Sequence, residues 1–360
     1  MDLTKLDRLL GRSPVVVQGL HPVSLAYLSE PVRTFASLEE LALLLDDSNQ
    51  AVAERVVVFD VNPVYASRFP VVTVRHNPFT PHLNAVLLDR YDYISSAMLN
   101  QSQVSDRILS IASHLSTIVL VLLDGLSYYD CRSWPGVEPC LATHPTITRV
   151  GFPCVLGDPP LAARLFRAGF ARRVGFTYWT RADEQLTNRL YRTISDTRRL
   201  DPGRPDTFRE ILDWLESTDL DHTYVQIVHS ALDDYADGHR TRVPRKAVVD
   251  QLHSDLRSIL RVLEQKGLPA CLFATSDHGI LWKEDEHPFR VVPFHGVRYM
   301  EARSGPGRGR CFRTADQWYW VLDYPQLGRH LHSDEQGVHG GVSFEESIVP
   351  FVQWEVKGQC

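Results

Sequence analysis

The sequence predicts an α/β protein whose main body is a mostly parallel sheet with helices on both faces, preceded by a small α/β segment of its own. Two observations carry this. From Thr117 onward, short and almost purely apolar runs alternate with amphipathic helical stretches. The runs are near-continuously hydrophobic, as strands covered on both faces must be.

Taken in order, Ser37 with Glu40 three residues later forms a capping box that opens a helix, and an apolar strand follows over Arg55 to Val61. A helix from Gln101 to Leu115 leads into the main body, which sets expected domains at residues 1–112 and 113–360. The strands of the main body are expected at Ile118 to Leu123, Tyr224 to Val228, Cys271 to Ala274 and Ile348 to Trp354. The clearest helix runs from Pro244 to about Lys266. Val248, Leu252, Leu256, Ile259 and Leu263 share one face, proline occupies the first turn and Gly267 stops the helix.

With 360 residues, 44% of them hydrophobic, the chain can bury one large core beside an accessory segment. Its longest purely apolar stretch, Ile118 to Leu123, is far short of the roughly 20 residues that cross a bilayer. The N-terminus lacks a charged-then-apolar signal layout, so the expected location is the cytoplasm. Six cysteines without a Cys-x-x-Cys pair read as reduced, buried thiols rather than a zinc knuckle. A net charge of −6 argues against indiscriminate nucleic-acid binding. Between Leu161 and Arg204, however, ten arginines face four acids, which makes this interval either a phosphate-facing surface or a solvated basic face.

Open α/β sheets place ligand sites outside the carboxyl ends of their strands. Three of the expected strands lead into acids: Asp124-Gly125, Asp233-Asp234 with His239 beyond, and Asp277-His278-Gly279. A fourth segment, His339-Gly340-Gly341, precedes the last strand. Aspartate and neutral imidazole suit zinc or manganese, and two divalent ions need about six such ligands. Taken singly, a strand-end aspartate is as well explained as a turn or cap residue. Between the first two segments lies His144-Pro145-Thr146-Ile147-Thr148-Arg149. A threonine at a helix start facing two cations is a sensible nucleophile, although either Thr146 or Thr148 would serve as a simple helix cap.

The ordered set Asp-Gly, Pro-Thr-x-Thr, Asp-(x)n-His, Asp-His-Gly, His-Gly-Gly resembles the alkaline-phosphatase superfamily. More narrowly, the chain end His339-Gly-Gly-Val-Ser343-Phe-Glu345-Glu346 through Pro350 is very similar to the closing motif of PglZ domains, and His229 to Asp237 is a looser match to another of that family's segments. The resemblance covers about residues 117–356. It implies an alkaline-phosphatase-like fold holding two divalent ions, zinc first and manganese also suited. Asp124, Asp277 and His278 would serve one ion; Asp233, His239 and His339 would serve the other. It makes Thr148 the nucleophile and leaves Arg149 to clamp a phosphoryl oxygen. Asp234 and Asp237 compete for the Asp233 and His239 roles, because the spacing of this segment departs from the family's.

The implied chemistry is in-line displacement at phosphorus through a phosphothreonine. A phosphodiesterase or phosphatase acting on nucleotides or oligonucleotides fits best, with protein partners in a bacterial phage-defence complex. A sugar phosphomutase would carry a larger insertion than the interval of about 65 residues from Gly157 to His222. A scaffold subunit retaining the metal site is the non-catalytic alternative. A sulfatase would need a modifiable cysteine in a Cys-x-Pro-x-Arg context, which the sequence lacks.

Overall fold

The computed structural model describes residues 2–10, 14–36, 55–59, 70–79, 87, 89–176, 197–198, 205–238, 243–283, 289–302, 310–314 and 317–358. The chain divides into two compact units, Met1–Met98 and Leu99–Cys360.

In the first unit, helix α1 (Leu3–Leu10) packs on a parallel sheet of β1 (Val15–Gln18), β2 (Arg33–Phe35), β3 (Val56–Val58) and β4 (Val71–Thr73), in the order β2-β3-β1-β4. The expected strand at Arg55 to Val61 is thus a three-residue strand. The capping box at Ser37 and Glu40 lies outside the described residues. Helix α2 (Tyr91–Ala97) ends the unit.

Helix α3 (Gln101–Ala112), expected ahead of the main body, lies within the second unit. The dividing point is therefore at Met98–Leu99, upstream of residue 112. The reason is packing: Val104, Ile108 and Ala112 are buried in the same cluster as Ile118, Leu120 and Leu122.

The elements that build the sheet of this unit are, in chain order, β5 (Thr117–Leu123), α4 (Tyr128–Cys131), β6 (Val137–Leu141), α5 (Thr148–Leu156), α6 (Leu161–Arg167), β7 (Arg172–Phe176), β8 (Thr197–Arg198), α7 (Pro205–Ser217), β9 (Thr223–His229), α8 (Ala231–Ala236), α9 (Arg245–Lys266) and β10 (Ala270–Thr275). Three small sheets follow: β11 (Leu281–Trp282) with β17 (Gly337–Val338), β12 (Arg290–Val291) with β16 (Gln326–Leu327), and β13 (Tyr299–Ala302), β15 (Trp318–Val321) and β14 (Arg310–Arg313). Helix α10 (Phe344–Ser347) then leads into β18 (Ile348–Val356).

The seven-stranded sheet runs β6-β18-β10-β5-β9-β7-β8. Only β18 runs opposite to the other six strands. Strands β5, β9 and β10 are buried along their whole length, as continuous apolar runs require. Val119, Val121, Val225 and Leu272 point to one face, among Ile211 and Leu215 of α7 and Leu252, Leu256 and Ile259 of α9. Ile118, Leu120, Tyr224 and Phe273 point to the other, among residues of α3, α5 and α6. Pro244 immediately precedes α9, and Gly267 at φ +67° takes the left-handed conformation that ends it.

The register aligns the strand ends. Leu122 pairs with both Thr275 and Val228, and Leu123 with His229. Asp124, the start of α8 with Asp233, and Asp277 therefore emerge at one end of the sheet. Among the described residues no helix is long and apolar enough to cross a membrane.

Candidate functional site

Asp124 continues β5, and its backbone N–H donates to the His229 carbonyl at 2.9 Å. Asp277 and His278 continue β10 and are fully buried. The Ser276 hydroxyl accepts from the Leu126 N–H (3.1 Å) and donates to the His278 carbonyl (2.6 Å), so one serine joins the two strand-end turns. Gln101 at the start of α3 adds a second tie. Its amide donates to the Ser276 and Asp277 carbonyls at 2.9 and 2.7 Å and accepts from Thr143 N–H at 2.8 Å.

Helix α5 begins at Thr148 and comes very close to the Asp277 backbone. A Cβ built on Gly151 would lie 2.3 Å from the Asp277 carbonyl oxygen, so only glycine permits this approach. The Thr148 hydroxyl is consequently 3.3 Å from His278 Nε2 and within hydrogen-bonding reach of the Asp277 carboxyl. Thr146 has another role. Fully buried, it donates to the Gly341 carbonyl (2.9 Å) and accepts from the Gly340 N–H (3.1 Å), while its own carbonyl faces His339 Nδ1 at 3.1 Å. The residue preceding α5 is Ile147, so Thr146 does not cap the helix.

Among the described residues, two groups of side chains converge closely enough to hold an ion: Asp124, Asp277 and His278, and Asp233, His278 and His339. His278 belongs to both, and its ring stacks on that of His339 with centroids 3.9 Å apart. Asp233, not Asp234, joins the cluster; the Asp234 carboxylate accepts from Ser230 at 3.3 Å. His239, expected with Asp233 and His339, lies outside the described residues. Arg149 is not drawn in: its guanidinium forms an exposed ion pair with Glu301 at 2.9 Å, which would have to open before it could reach a phosphoryl oxygen.

The orientation of the imidazoles decides the chemistry. His278 Nδ1 lies 3.1 Å from the Gly279 carbonyl and His339 Nδ1 3.1 Å from the Thr146 carbonyl. Carbonyls only accept, so both Nδ1 atoms carry hydrogen; in the neutral imidazole each Nε2 then presents a lone pair. His278 Nε2 faces Asp277 Oδ2 at 3.3 Å and Asp124 Oδ1 at 3.6 Å; His339 Nε2 faces Asp233 Oδ1 at 3.7 Å. Asp124 Oδ1 and Asp277 Oδ2 are buried with no hydrogen-bond partner. Acceptors aimed at acceptors need protons or cations between them.

Protons are held on unequal terms. Burial, with the charges of Asp277 and Asp233 adding to it, keeps the Asp124 carboxyl well above the ordinary carboxylate range. Burial likewise pushes Asp277 up to about 8. It holds the His278 imidazole far below its usual value, and repulsion from His339 acts the same way. The donor set of carboxylates and Nε2 lone pairs fits zinc or manganese, with the Nδ1–H anchors fixing ring orientation as backbone carbonyls do at metal-ligating histidines.

No family model matches this chain, and no curated protein matches it. Solved structures are similar in part. Murine ectonucleotide pyrophosphatase/phosphodiesterase 5, inactive and in complex with AMP, is 12% identical with a TM-score of 0.43, covering 67% of this chain and 88% of that one. Phosphonoacetate hydrolase from Sinorhizobium meliloti 1021 in complex with phosphonoformate is 12% identical with a TM-score of 0.40, covering 66% and 89%. The C-terminal periplasmic domain of EcEptC from Escherichia coli, in complex with zinc, is 10% identical with a TM-score of 0.37, covering 67% and 73%. At such identities and scores, substrate and mechanism have to be read from the cluster itself.

Gln101, which ties Asp277 to Thr143, was not singled out by sequence, because it looks like any polar residue at a helix start. Arg298, buried beneath Gly341, carries no local sequence pattern, and Glu346 entered only as part of the closing motif.

Proposed function

We propose that this chain is a metal-dependent phosphoryl-transfer enzyme, a phosphodiesterase or phosphatase with Thr148 as nucleophile. The observation that supports it most directly is the convergence of two Nε2 lone pairs and three carboxylates beside a threonine hydroxyl at a helix start. Divalent ions at these ligands would supply positive charge that favours ionisation of the attacking hydroxyl and offsets charge on the leaving oxygen.

The chain's own groups have defined parts. Thr148 Oγ1 attacks phosphorus in line, its proton passing to the carboxylate side of the cluster while the bond from phosphorus to the leaving oxygen breaks. The positive end of α5 favours the phosphoryl oxygens. Thr146 keeps His339 in one tautomer, and Gly151 lets Thr148 approach Asp277. Water then attacks phosphorus and the bond from phosphorus to Thr148 Oγ1 breaks, so Thr148 regains its proton and the product leaves, a phosphomonoester from a diester substrate or inorganic phosphate from a monoester.

The PglZ-like closing motif supports nucleotides or oligonucleotides as substrates and protein partners in a phage-defence complex; a cytoplasmic location is part of the same proposal. The test is metal analysis of the purified protein with turnover of a chromogenic phosphodiester, and trapping of phosphate on Thr148 by quenching followed by peptide mass analysis. Two equivalents of metal, turnover and a label on Thr148 are expected. Metal-free, inert protein would leave the scaffold reading instead.

A further inference from the structure

The His339-Gly340-Gly341 turn carries the His339 ring, which stacks on the His278 ring with centroids 3.9 Å apart. What grips it is a buried ion pair to which the chemistry above gives no part. Arg298 and Glu346 are both fully buried. Arg298 Nε donates to Glu346 Oε1 at 3.0 Å and Nη2 donates to Oε2, a forked pair. The remaining guanidinium nitrogen donates to the Asp323 carbonyl at 3.1 Å and the Gln326 carbonyl at 2.5 Å, fastening the pair to the segment between β15 and β16.

Glu346 then reaches both ligand turns. Its Oε1 accepts the Gly341 N–H at 2.9 Å, and its main-chain carbonyl accepts the Gly279 N–H, also at 2.9 Å. The Ser343 hydroxyl accepts the Glu346 N–H at 3.1 Å and so fixes the backbone between these two grips. Arg298 lies flat against the turn: a Cβ on Gly341 would stand 2.2 to 2.4 Å from guanidinium atoms. The second glycine of the His-Gly-Gly turn is therefore required by the arginine beneath it.

We propose that the Arg298–Glu346 pair is a positioning clip that sets His339 against His278 and thereby forms the Asp233–His278–His339 ion site. The inference rests on the metal reading above. Buried ion pairs seldom stabilise a fold more than well-packed apolar side chains of the same volume, so stability alone gives little reason to keep one here. A fork that fixes direction as well as distance gives a reason.

The experiment titrates Co(II) into metal-free wild-type protein, into Glu346→Gln and into the double variant Arg298→Met/Glu346→Leu, following visible d–d absorption and binding heat. Wild type should take up two equivalents. Both variants should keep the equivalent bound through Asp124, Asp277 and His278, and bind the other at least about 10-fold more weakly with an altered spectrum, the lower end for loss of an outer-shell partner. The double variant removes the charges without stranding either, so it separates positioning from folding. If it folds and binds both equivalents with the wild-type spectrum, the clip is refuted. If it fails to fold, the pair is a folding element and the inference also falls. Wild-type protein that takes up no second equivalent would overturn the metal reading itself.

Discussion

Two threonines two residues apart should fail in opposite ways when truncated. Thr146→Ala removes the acceptor of the Gly340 N–H and the donor to the Gly341 carbonyl, both buried. Each stranded group costs about 1–3 kcal/mol, so the variant should lose about 2–6 kcal/mol of stability. For a unit of this size that is on the order of a 10 °C fall in melting temperature. Thr148→Ala loses only a half-buried hydroxyl and should melt within a few degrees of wild type, yet its rate should fall by at least about 1,000-fold because no other group can accept the phosphoryl. Thr148→Ser keeps the hydroxyl and should retain part of the rate. The assay is kcat/KM on a chromogenic phosphodiester beside the melting curve. If Thr146→Ala is the inactive but stable variant, the nucleophile lies two residues earlier. If both variants stay active, no threonine is phosphorylated and water attacks directly.

Exhaustive chelation should abolish turnover and lower the melting temperature at neutral pH, because ions that bind the folded cluster and not the unfolded chain stabilise the fold by mass action, and that contribution is lost; a rate and melting temperature unmoved by chelation would contradict the metal reading. Gly151→Ala puts a methyl against the Asp277 carbonyl, and displacing Thr148 by even about 1 Å should lower kcat roughly 100-fold in protein that still folds, so wild-type kcat in this variant would show that α5 is free to shift. Glu335 is held down at about 2 by its hydrogen bonds from Arg329, so its contribution is full above the ordinary carboxylate range and disappears as pH falls towards 2. With Arg329 40% exposed, Glu335→Gln should cost less than about 1 kcal/mol in a urea titration at pH 7, and the difference should shrink steadily as the medium is acidified; a gap that widens in acid would mean the pair is not what the substitution removes.

The sheet was legible because a strand covered on both faces has to be apolar throughout, and the first polar residue after it marks the sheet edge. This is how Asp124 and Asp277 could be found, and the structure brings both together with His278, Asp233 and His339. The basic interval was read from a charge count instead, which left both a phosphate-facing and a solvated face open. Arg173, counted there among candidates for a phosphate-facing surface, is fully buried, with its guanidinium donating to Gln226 at 3.2 Å and lying over the Tyr224 ring. Arg164 pairs with Asp106 and Arg172 with Asp219. Arg181, Arg189, Arg192, Arg199 and Arg204 lie outside the described residues. A count of charges along the chain has no way to register that a β-strand turns alternate residues inward, and Arg173 sits on β7.

Arg298 and Glu346 escaped for a related reason: their partnership spans 48 positions and leaves no period in the sequence. Yet such long-range polar contacts are what makes the site possible. Strand ends alone deliver carboxylates to one edge, but they do not fix ring planes or the distance between two imidazoles. Here each ligand turn is bonded to another through main-chain atoms: Asp124 to His229, Leu126 to Ser276, Thr146 to Gly340 and Gly341, and Gly279 to Glu346. None of these bonds involves the atoms that would touch an ion. These main-chain ties form as the chain folds, beside the buried Arg298–Glu346 pair, and the crowded lone pairs are the cost carried at the centre until a cation offsets it.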